Sequence, residues 1–244
     1  MAFLTFTNVR LLAVGCDLTG ASNKAELSAE VEEKDKTTYG SQGWKEVMGG
    51  LGSAEISAEG LWEAGDLSRV DDASWAQLGG TGPWSIGPVG ASVGDLAYLT
   101  NAMRSEYGAM GTVGDVAPWK GKAASTWPLV RGQWAHNPAT ARTASGTGPG
   151  ATLGPVAAGQ RLYASLHVLS AAGTTPTLDV VIESDDAAGF SSATTQLTFP
   201  QATTISGQIL RSSGGAITDT WFRPKWTITG TSPSFLFAIA YGIR

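Results

Sequence analysis

The sequence predicts a mainly β fold, a β-sandwich or barrel with one flanking α-helix. Three observations favour this class. Glycine is frequent, at 32 of 244 residues, while only 15% of residues are charged, a composition typical of many short strands joined by tight turns. Apolar and polar residues alternate over several segments, which indicates strands with one buried face. Hydrophobic residues make up 42% of the chain, enough to fill a core.

Two segments in the first third of the chain each predict a strand with a row of acidic side chains. In both, small or apolar residues alternate with polar ones, so the polar residues share one face. Residues 24–72 hold 12 acidic and 5 basic side chains, a local charge of −7 within a net charge of −5. The polar faces carry Lys24, Glu26, Ser28, Glu30 and Glu32 in the first strand, and Glu55, Ser57, Glu59, Leu61 and Glu63 in the second.

These acidic rows have two interpretations. A run of Glu on a strand is commonly its solvated face. Like charges on neighbouring strands nevertheless cost stability through cross-strand repulsion, and an ordinary surface intersperses Lys among them. A protein that encloses DNA without gripping it would tolerate that cost, because a negative wall repels phosphate. The net negative charge argues against a protein that grips DNA.

The segment Thr37–Trp44, between the two strands, is polar, punctuated by glycine and too long for a tight hairpin turn. It predicts an extended loop. Two helices are predicted after it, at Asp71–Leu78 and Gly94–Tyr107. The second has apolar residues along one face and follows Ser92 and Asp95, a Ser-x-x-Asp capping pattern.

Residues 137–150, rich in Gly, Pro, Ser and Thr, are predicted to link two β-rich regions, residues 1–136 and 151–244. The helix near 94–107 belongs to the first region. The second region either completes the fold of the first or forms a separate β-sandwich module. Its strand patterns lie at Arg161–Leu169, Thr177–Glu183, Thr195–Phe199, Thr220–Thr229 and Ser234–Gly242.

The segment Gly90–Gly94 matches the G-x-S-x-G motif of serine hydrolases around Ser92, and Asp115 and then His136 or His167 follow in the chain order of a catalytic triad. That motif requires a buried strand before it and a parallel α/β sheet around it, whereas prolines interrupt the segment that precedes it here. We therefore expect no catalytic residue and no enzymatic activity.

Metal and cofactor binding are not expected either. Two histidines without metal-ligand spacing and one cysteine are poor candidates for a zinc site, and Cys16 is expected to be a small core residue. No phosphate-binding loop motif occurs. The nine tryptophans leave open a sugar-stacking platform, although core and interface packing is favoured for most of them, with Trp44 in the predicted loop as the exception.

The sequence gives no indication of a membrane protein. No apolar run approaches the roughly 20 residues that a membrane-spanning helix needs. The N-terminal segment MAFLTFTNVR does not match a secretory signal peptide. We expect the chain to be made and retained in the cytoplasm.

Several stretches occur in a recognisable order. They are Ser22-Asn23, LSAEVEEKDKTTYGSQGWKEVMGGLGSAEISAEGLWEAG at 27–65, DDASWAQLGG at 71–80, Val130-Arg131-Gly132, RTASGTG at 142–148, the strand at Leu162–Val168, LDVVIESDDAAGFSSATTQLTF at 178–199 and SFLFAIAYGIR at 234–244. This order resembles the tail tube (major tail) proteins of long-tailed phages that infect actinobacteria, over most of the chain.

The resemblance implies subunits that form rings, and rings that stack into a tube around a negatively charged channel for double-stranded DNA. It places the strands Lys24–Glu32 and Glu55–Glu63 in the channel wall and the Gly94–Tyr107 helix on the outer side. It also implies that the loop between the strands reaches a neighbouring ring. The residues of this loop are Lys34, Asp35, Lys36, Thr37, Thr38, Tyr39, Gln42 and Trp44.

The partners implied by the resemblance are further copies of the chain and the tape measure, tail terminator and distal tail proteins. The implied location is the tail of the virion, after assembly in the host cytoplasm. Six chains per ring are favoured, and three chains with a duplicated fold remain open. The alternative function is a carbohydrate-binding β-sandwich of a virion or cell surface, and a serine hydrolase using Ser92 is a distant third.

Overall fold

The protein is mainly β, as the sequence predicts. The computed structural model describes residues 5–66 and 68–244, and this part of the chain contains fourteen strands and one α-helix. Residues 1–4, at the start of the N-terminal segment that was compared with signal peptides, lie outside the described residues. The elements are β1 (Arg10–Ala13), β2 (Cys16–Asp17), β3 (Ser22–Asp35), β4 (Val47–Leu61), α1 (Val70–Ala76), β5 (Thr81–Gly87), β6 (Leu96–Ala109), β7 (Pro118–Ser125), β8 (Val130–His136), β9 (Gly146–Thr147), β10 (Ala151–Thr152), β11 (Leu162–Asp185), β12 (Thr194–Thr198), β13 (Ser206–Arg211) and β14 (Trp221–Ile243).

The strands form one connected antiparallel sheet that folds around its own core. Its main path is β12-β11-β14-β8-β6-β5-β1-β2, and a branch β3-β4-β7 joins it at β6. The strand β6 therefore belongs to two parts of the sheet: its first half pairs with β8 and its second half with β7. The branch gives a four-stranded sheet β3-β4-β7-β6, which holds the residues of functional interest.

The alternation predicted for the second acidic strand is confirmed in β4. Ile56, Ala58 and Gly60 are buried, whereas Glu55 and Glu59 lie on the opposite face. Burial of the first set follows from the core beneath the sheet, where the cluster around Ile56 includes side chains of β1, β5 and α1. The strand also starts earlier than predicted, at Val47.

The helix predicted at Gly94–Tyr107 is wrong, because this segment forms the strand β6. The backbone of β6 is hydrogen-bonded to β5, β7 and β8. Burial alternates with period two, first over Ala97 and Leu99 and then over Ala102 and Arg104. Apolar residues at three- and four-residue intervals also fit a helix, and pairing with distant strands decided between the two.

The capping pattern before β6 forms a turn instead of a helix start. The backbone amide of Ser92 donates to a carboxylate oxygen of Asp95 at 2.9 Å, and the amide of Asp95 donates to the carbonyl of Ser92 at 3.0 Å. Gly94 has a φ of +90°, a left-handed conformation that favours glycine. The amide-to-carboxylate hydrogen bond expected in a helix cap is thus made within a turn that leads into a strand.

The helix predicted at Asp71–Leu78 is present as α1. Asp71 and Asp72 lie in its first turn, where negative charge is favourable near the helix N-terminus. Val70 and Ala73 are buried in the core beneath the four-stranded sheet. The helix therefore closes one end of that core.

The C-terminal region is a sandwich built on two long strands, β11 and β14. The strand patterns predicted at Arg161–Leu169 and Thr177–Glu183 are the two ends of the continuous strand β11, and β14 likewise spans the last two predicted strands. The ladder between β11 and β14 has register shifts between Val168 and Thr177. Both ends contribute to one core, which contains Leu166 as well as Leu178. The two-stranded ribbon of β11 and β14 therefore bends over its own core. The strand β13 pairs with one end of β11, and β12 pairs with the other end.

The segment predicted as a linker makes specific contacts with β14. Arg142 and Phe235 exchange two backbone hydrogen bonds of 2.7 and 2.9 Å, and Gly146 pairs with Trp226. The strand β8, which precedes this segment, also pairs with β14. The division into regions at 137–150 stays a prediction.

Candidate functional surface on the four-stranded sheet

One face of the sheet β3-β4-β7-β6 carries most of the charged residues predicted to line a channel. Lys24 lies opposite Glu59, and Ser28 lies opposite Glu55. Opposed residues of an antiparallel pair share a face, so the structure brings the two predicted rows together as one surface, which we term the open face. It consists of Lys24, Glu26, Ser28, Glu30, Ser53, Glu55, Ser57, Glu59, Glu106, Lys120 and Lys122.

The basic side chains of β7 on this face were missed by sequence reasoning. Lys122 binds Glu55 of β4 at 2.6 Å, and Lys120 binds Glu106 of β6 at 2.6 Å. The alternation of Lys120, Gly121 and Lys122 places both lysines on one face of a strand, which the sequence could have indicated. That β7 lies beside β4 depends on long-range pairing.

The net charge of the open face is smaller than the local sequence suggests. Its five carboxylates face three ammonium groups, which leaves −2. Opposite charges directly across strands offset the cross-strand repulsion expected from the acidic rows alone. The surface is therefore a weakly negative one with interspersed lysines.

Ion pairing on the open face shifts the pKa of its exposed groups. A hydrogen bond to Glu26 raises the pKa of Lys24, and the charge of Glu59 adds to it. The contact between Lys120 and Glu106 raises the pKa of the lysine and lowers the pKa of the carboxyl. Salt screens these ion pairs because the groups lie in solvent.

Two residues of the predicted channel lining are not part of the open face. Glu32 follows Val31 at a register shift in β3 and pairs with Lys34. Glu63 comes after the end of β4 and binds Arg69 at 2.9 Å. Their role in a channel wall stays a prediction.

The strands β3 and β4 project beyond β7 as a two-stranded arm, defined here as residues 31–52. The last residue of β4 that β7 pairs with is Glu55. Ala29 and Val31, expected on a buried face, are exposed, because none of the described strands packs over that side of the ribbon. Apolar side chains are exposed along the whole arm, namely Val31, Val47, Met48 and Leu51.

The arm ends in an ordered tip, residues 36–46, where sequence reasoning predicted an extended loop. The strand β3 continues two residues into that loop, since Asp35 pairs with Val47. Side-chain hydrogen bonds then fix the turn, in which Asp35 accepts from the amide of Thr37 at 2.8 Å. Hydrogen bonding by the Thr37 side chain, together with this amide, lowers the pKa of the Asp35 carboxyl. Lys36 and Glu46 close the base of the tip as an ion pair at 3.5 Å.

A short 3-10 helix, Tyr39–Ser41, orders the middle of the tip. The amide of Thr38 donates to the hydroxyl of Ser41 at 3.2 Å, and Gln42 ends the turn with a left-handed φ of 51°. Tyr39 is fully exposed and Trp44 is 82% exposed. The tip thus holds two large aromatic side chains in solvent.

The residues of the rejected serine hydrolase hypothesis are not brought together. Among the hydrogen bonds of residues 5–66 and 68–244, none joins Ser92 to a histidine. His136 is buried, and its Nδ1 lies 3.0 Å from the carbonyl oxygen of Phe237. His167 is buried with its Nε2 at 2.9 Å from the hydroxyl of Ser85. The structure gives no support to catalysis by Ser92.

The two histidines and the cysteine are all buried. Burial lowers the pKa of His136 to about 4 and that of His167 to about 3, so both are neutral at pH 7. Burial also raises the pKa of Cys16 to about 12, which leaves it a thiol. Within the described ranges, no cluster of metal-ligating side chains occurs.

The tryptophans divide into core and surface residues. Trp84, Trp119 and Trp134 are completely buried, as core packing requires. Trp44 and Trp75 are exposed on separate elements, the arm tip and α1. A groove that stacks a sugar between them is therefore not formed. In the part of the chain that the structure describes, no helix is long and apolar enough to cross a membrane.

Comparisons with known proteins give weak similarities. No family model matches the sequence, and no curated protein matches it. Similar solved structures include a protein of the virion of a native gene transfer agent particle, with 21% identity, a TM-score of 0.42, and coverage of 52% of this chain and 97% of that chain. A protein of the tail of an empty gene transfer agent particle, refined with C6 helical symmetry, has 22% identity and a TM-score of 0.41, over 50% of this chain and 92% of that chain.

A third solved structure, the Dit (gp 19.1) protein of SPP1, has 11% identity and a TM-score of 0.37, over 97% of this chain and 99% of that chain. It is described as a paradigm of the hub adsorption apparatus in phages that infect Gram-positive bacteria. All three TM-scores lie below 0.5, so these similarities do not establish a shared fold.

Proposed function

We propose that this chain is the tail tube subunit of a long-tailed phage, a structural protein without enzymatic activity. Subunits assemble into stacked rings, six chains per ring, around a channel through which double-stranded DNA passes during genome ejection. The protein is then a component of the virion tail, assembled in the host cytoplasm. This proposal starts from the order of short sequence segments, which resembles that of tail tube proteins of actinobacterial phages.

The observation that carries the proposal is the arm. The strands β3 and β4 extend past the last β7 pairing, and Val31 and Leu51 of this ribbon are exposed in the described structure. A two-stranded ribbon alone is marginally stable in water, and exposed contiguous apolar surface marks contact with another protein. Covering by neighbouring copies accounts for both features.

The free edge of β3 supports the same assembly. Among the described strands, β3 pairs with β4 alone, so one row of backbone amides and carbonyls along its fourteen residues faces outward. Edge strands add to the sheets of neighbouring molecules unless charge or shape prevents it. In a ring, heterologous contacts of this kind close on themselves.

The open face supports a channel wall that passes DNA without holding it. Its excess of carboxylates repels phosphate, and its lysines are engaged by Glu55 and Glu106 rather than free to neutralise a DNA backbone. A weak negative potential of this type gives no stable protein–DNA contact. The tape measure, tail terminator and distal tail proteins are the further partners that a tube of this class requires.

The experiment that tests the proposal is negative-stain electron microscopy of the purified protein at several concentrations, beside size-exclusion chromatography with light scattering. Rings or tubes with a pore wide enough for a DNA duplex are the expected result. A monomer at every concentration would count against the tube and direct attention to sugar binding.

A further inference from the structure

The four-stranded sheet has two opposite ends, and both expose apolar side chains. The arm tip lies at one end. The loop between β6 and β7, residues 110–117, lies at the other, because Leu61 at the end of β4 is opposite Pro118 at the start of β7. The fifteen residues of β4 separate the two ends by about 45 Å at roughly 3.3 Å per residue.

The end opposite the tip is formed by the β6–β7 loop and Leu61, and we term it the distal end. Val113 is fully exposed, and Met110 is 77% exposed. Met110 also lines a depression of about 400 Å³, whose wall includes Ala109 and Pro118 as well as the charged Glu59 and Lys120. Val116 of the loop and Leu61 at the end of β4 are exposed as well.

The distal end carries the opposite charge to the tip. The chain that leaves β4 runs along it, since the amide of Trp62 donates to the carbonyl of Ala117 at 2.9 Å. Residues 62–72 together with Asp115 hold five acidic side chains and Arg69 alone as a base, a charge of −4, whereas the tip, residues 36–46, holds two lysines and one acid, a charge of +1. Complementary charge fixes the orientation in which two such surfaces meet.

We propose that the distal end is the docking site for the arm tip of a second copy of this chain. Trp44 and Tyr39 of one copy pack on Met110, Val113 and Leu61 of the next, and Lys45 meets the acidic segment. The contact joins two different surfaces of the same chain, so each copy keeps one unused end and the assembly grows without closing. This inference rests on the proposed function and adds to it the surface that receives the arm.

The first test is disulfide trapping with the full chain. Trp44→Cys is combined in turn with Met110→Cys, Val113→Cys and Val116→Cys, and the assembled protein is exposed to a mild oxidant. At least one pair is expected to give a ladder of covalent multimers on a non-reducing gel, because Cα atoms within about 7 Å can be bridged. The native Cys16 is buried and does not compete.

The controls separate this contact from others. Trp44→Cys alone and Trp44→Cys with Val93→Cys, an exposed valine outside both surfaces, should give no ladder. A dimer from Trp44→Cys alone would show tip-to-tip contact and overturn the inference. If the variants still form tubes by electron microscopy but give no ladder, the docking inference is overturned as well. If the wild-type protein forms neither rings nor tubes, the proposed function is overturned together with the docking inference.

The second test uses complementation of two defective surfaces. A tip variant, Tyr39→Ser with Trp44→Ser, and an end variant, Met110→Ser with Val113→Ser, should each stop at single rings. A mixture of the two restores one intact contact and should give paired rings of twice the mass by mass photometry, without longer tubes. Long tubes from either variant alone, or no pairing in the mixture, would contradict the docking.

Discussion

His167 is enclosed where β11 packs against β5 and the turn between β1 and β2. The face of β11 that carries it is covered by the N-terminal region. The backbone amide of Gly15 donates to its Nδ1 at 3.4 Å, so the proton lies on Nε2, which donates to Ser85. A second proton would have to enter at Nδ1, where a backbone donor already points. The site therefore holds a neutral imidazole.

The stability of the fold is expected to fall as the pH drops below about 6.5. The folded pKa values of His167 and His136, about 3 and about 4, lie below the unfolded value of about 6.5, so the unfolded chain binds protons first. The free energy of unfolding should decrease by about 2 kcal/mol per histidine between pH 7 and pH 5. Urea unfolding at pH 7, 6 and 5 measures it.

The matched control for this prediction is His167→Gln, which retains a donor and an acceptor but does not titrate. Its loss of stability between pH 7 and pH 5 should be about half that of the wild-type protein, with the remainder due to His136. Equal pH dependence in the two proteins would contradict the assignment. The range stops at pH 5 because Glu183 affects the pH dependence of stability at lower pH. Burial acts to raise the pKa of Glu183, but its contacts with Lys225 and Arg223 outweigh that effect and lower it.

Arg104 is a buried charge without a carboxylate partner. Its guanidinium lies 4.7 Å from the ring centre of Trp84, and Nη2 donates to Gln77 at 3.1 Å. Within the described residues its Nε and Nη1 have no hydrogen-bond partner. Burial lowers its pKa to about 10.

We expect Arg104→Met to raise the free energy of unfolding by about 1 kcal/mol, because an apolar chain of similar length replaces an unsatisfied charge. Arg104→Ala should lower it by about 2 to 4 kcal/mol through the cavity left beside Trp84. Denaturant titration of both variants provides the measurement. Equal destabilisation by the two substitutions would mean that the charge itself is required.

At the scale of elements, the arm should be removable without loss of the fold. Glu30 lies opposite Ser53, so replacing residues 31–52 by Asn-Gly leaves a two-residue hairpin with a favoured turn. The thermal midpoint should change by only a few degrees, because the arm packs on no core, while polymerisation should be lost. Calorimetry measures the thermal midpoint, and electron microscopy shows whether the variant polymerises.

A control for the arm deletion is a variant that keeps both strands and changes the tip alone, Tyr39→Ser with Trp44→Ser. It should match the deletion in assembly and the wild-type protein in secondary structure by circular dichroism. Unfolding of the deletion variant would show that the arm supports the sheet, contrary to its exposure on both faces.

Local alternation was sufficient to predict β4 and the polar side of β3, because the two-residue period of a strand can be read from neighbouring residues alone. It was insufficient for β6, where Leu96, Leu99, Met103 and Tyr107 fit a helical face as well as a strand. The lysines of the open face and the burial of His167 depend on which distant strands pair. Such contacts are set by tertiary packing and not by the local pattern.

For the whole assembly, the charge of the open face should affect DNA passage more than tube formation. Changing Glu26, Glu30, Glu55 and Glu59 to Lys turns the surface positive, so phosphate would be attracted and DNA delivery slowed. Tubes should still form, since these side chains are solvent-facing. Electron microscopy and the rate of DNA release from virions carrying the variant measure the two effects.

The same four positions changed to Gln give the matched control. This set removes charge without adding a cation, and DNA release should lie between the wild-type and Lys variants. Normal release with the Lys set would exclude the open face as a channel wall. Collapse of tube formation with the Gln set would instead indicate that these carboxylates bind a neighbouring copy.

The strands β11 and β14 serve both ends of the sandwich, and β14 also pairs with β8 from the other side of residues 137–150. Neither end can be completed until residues far apart in sequence have met, and such closure makes folding slow, on the order of milliseconds to seconds. During that interval the edge of β3 and the apolar arm are already available for pairing. The order of events in the cell then matters: a high concentration of half-folded chains would aggregate through the same surfaces that mature subunits use to polymerise.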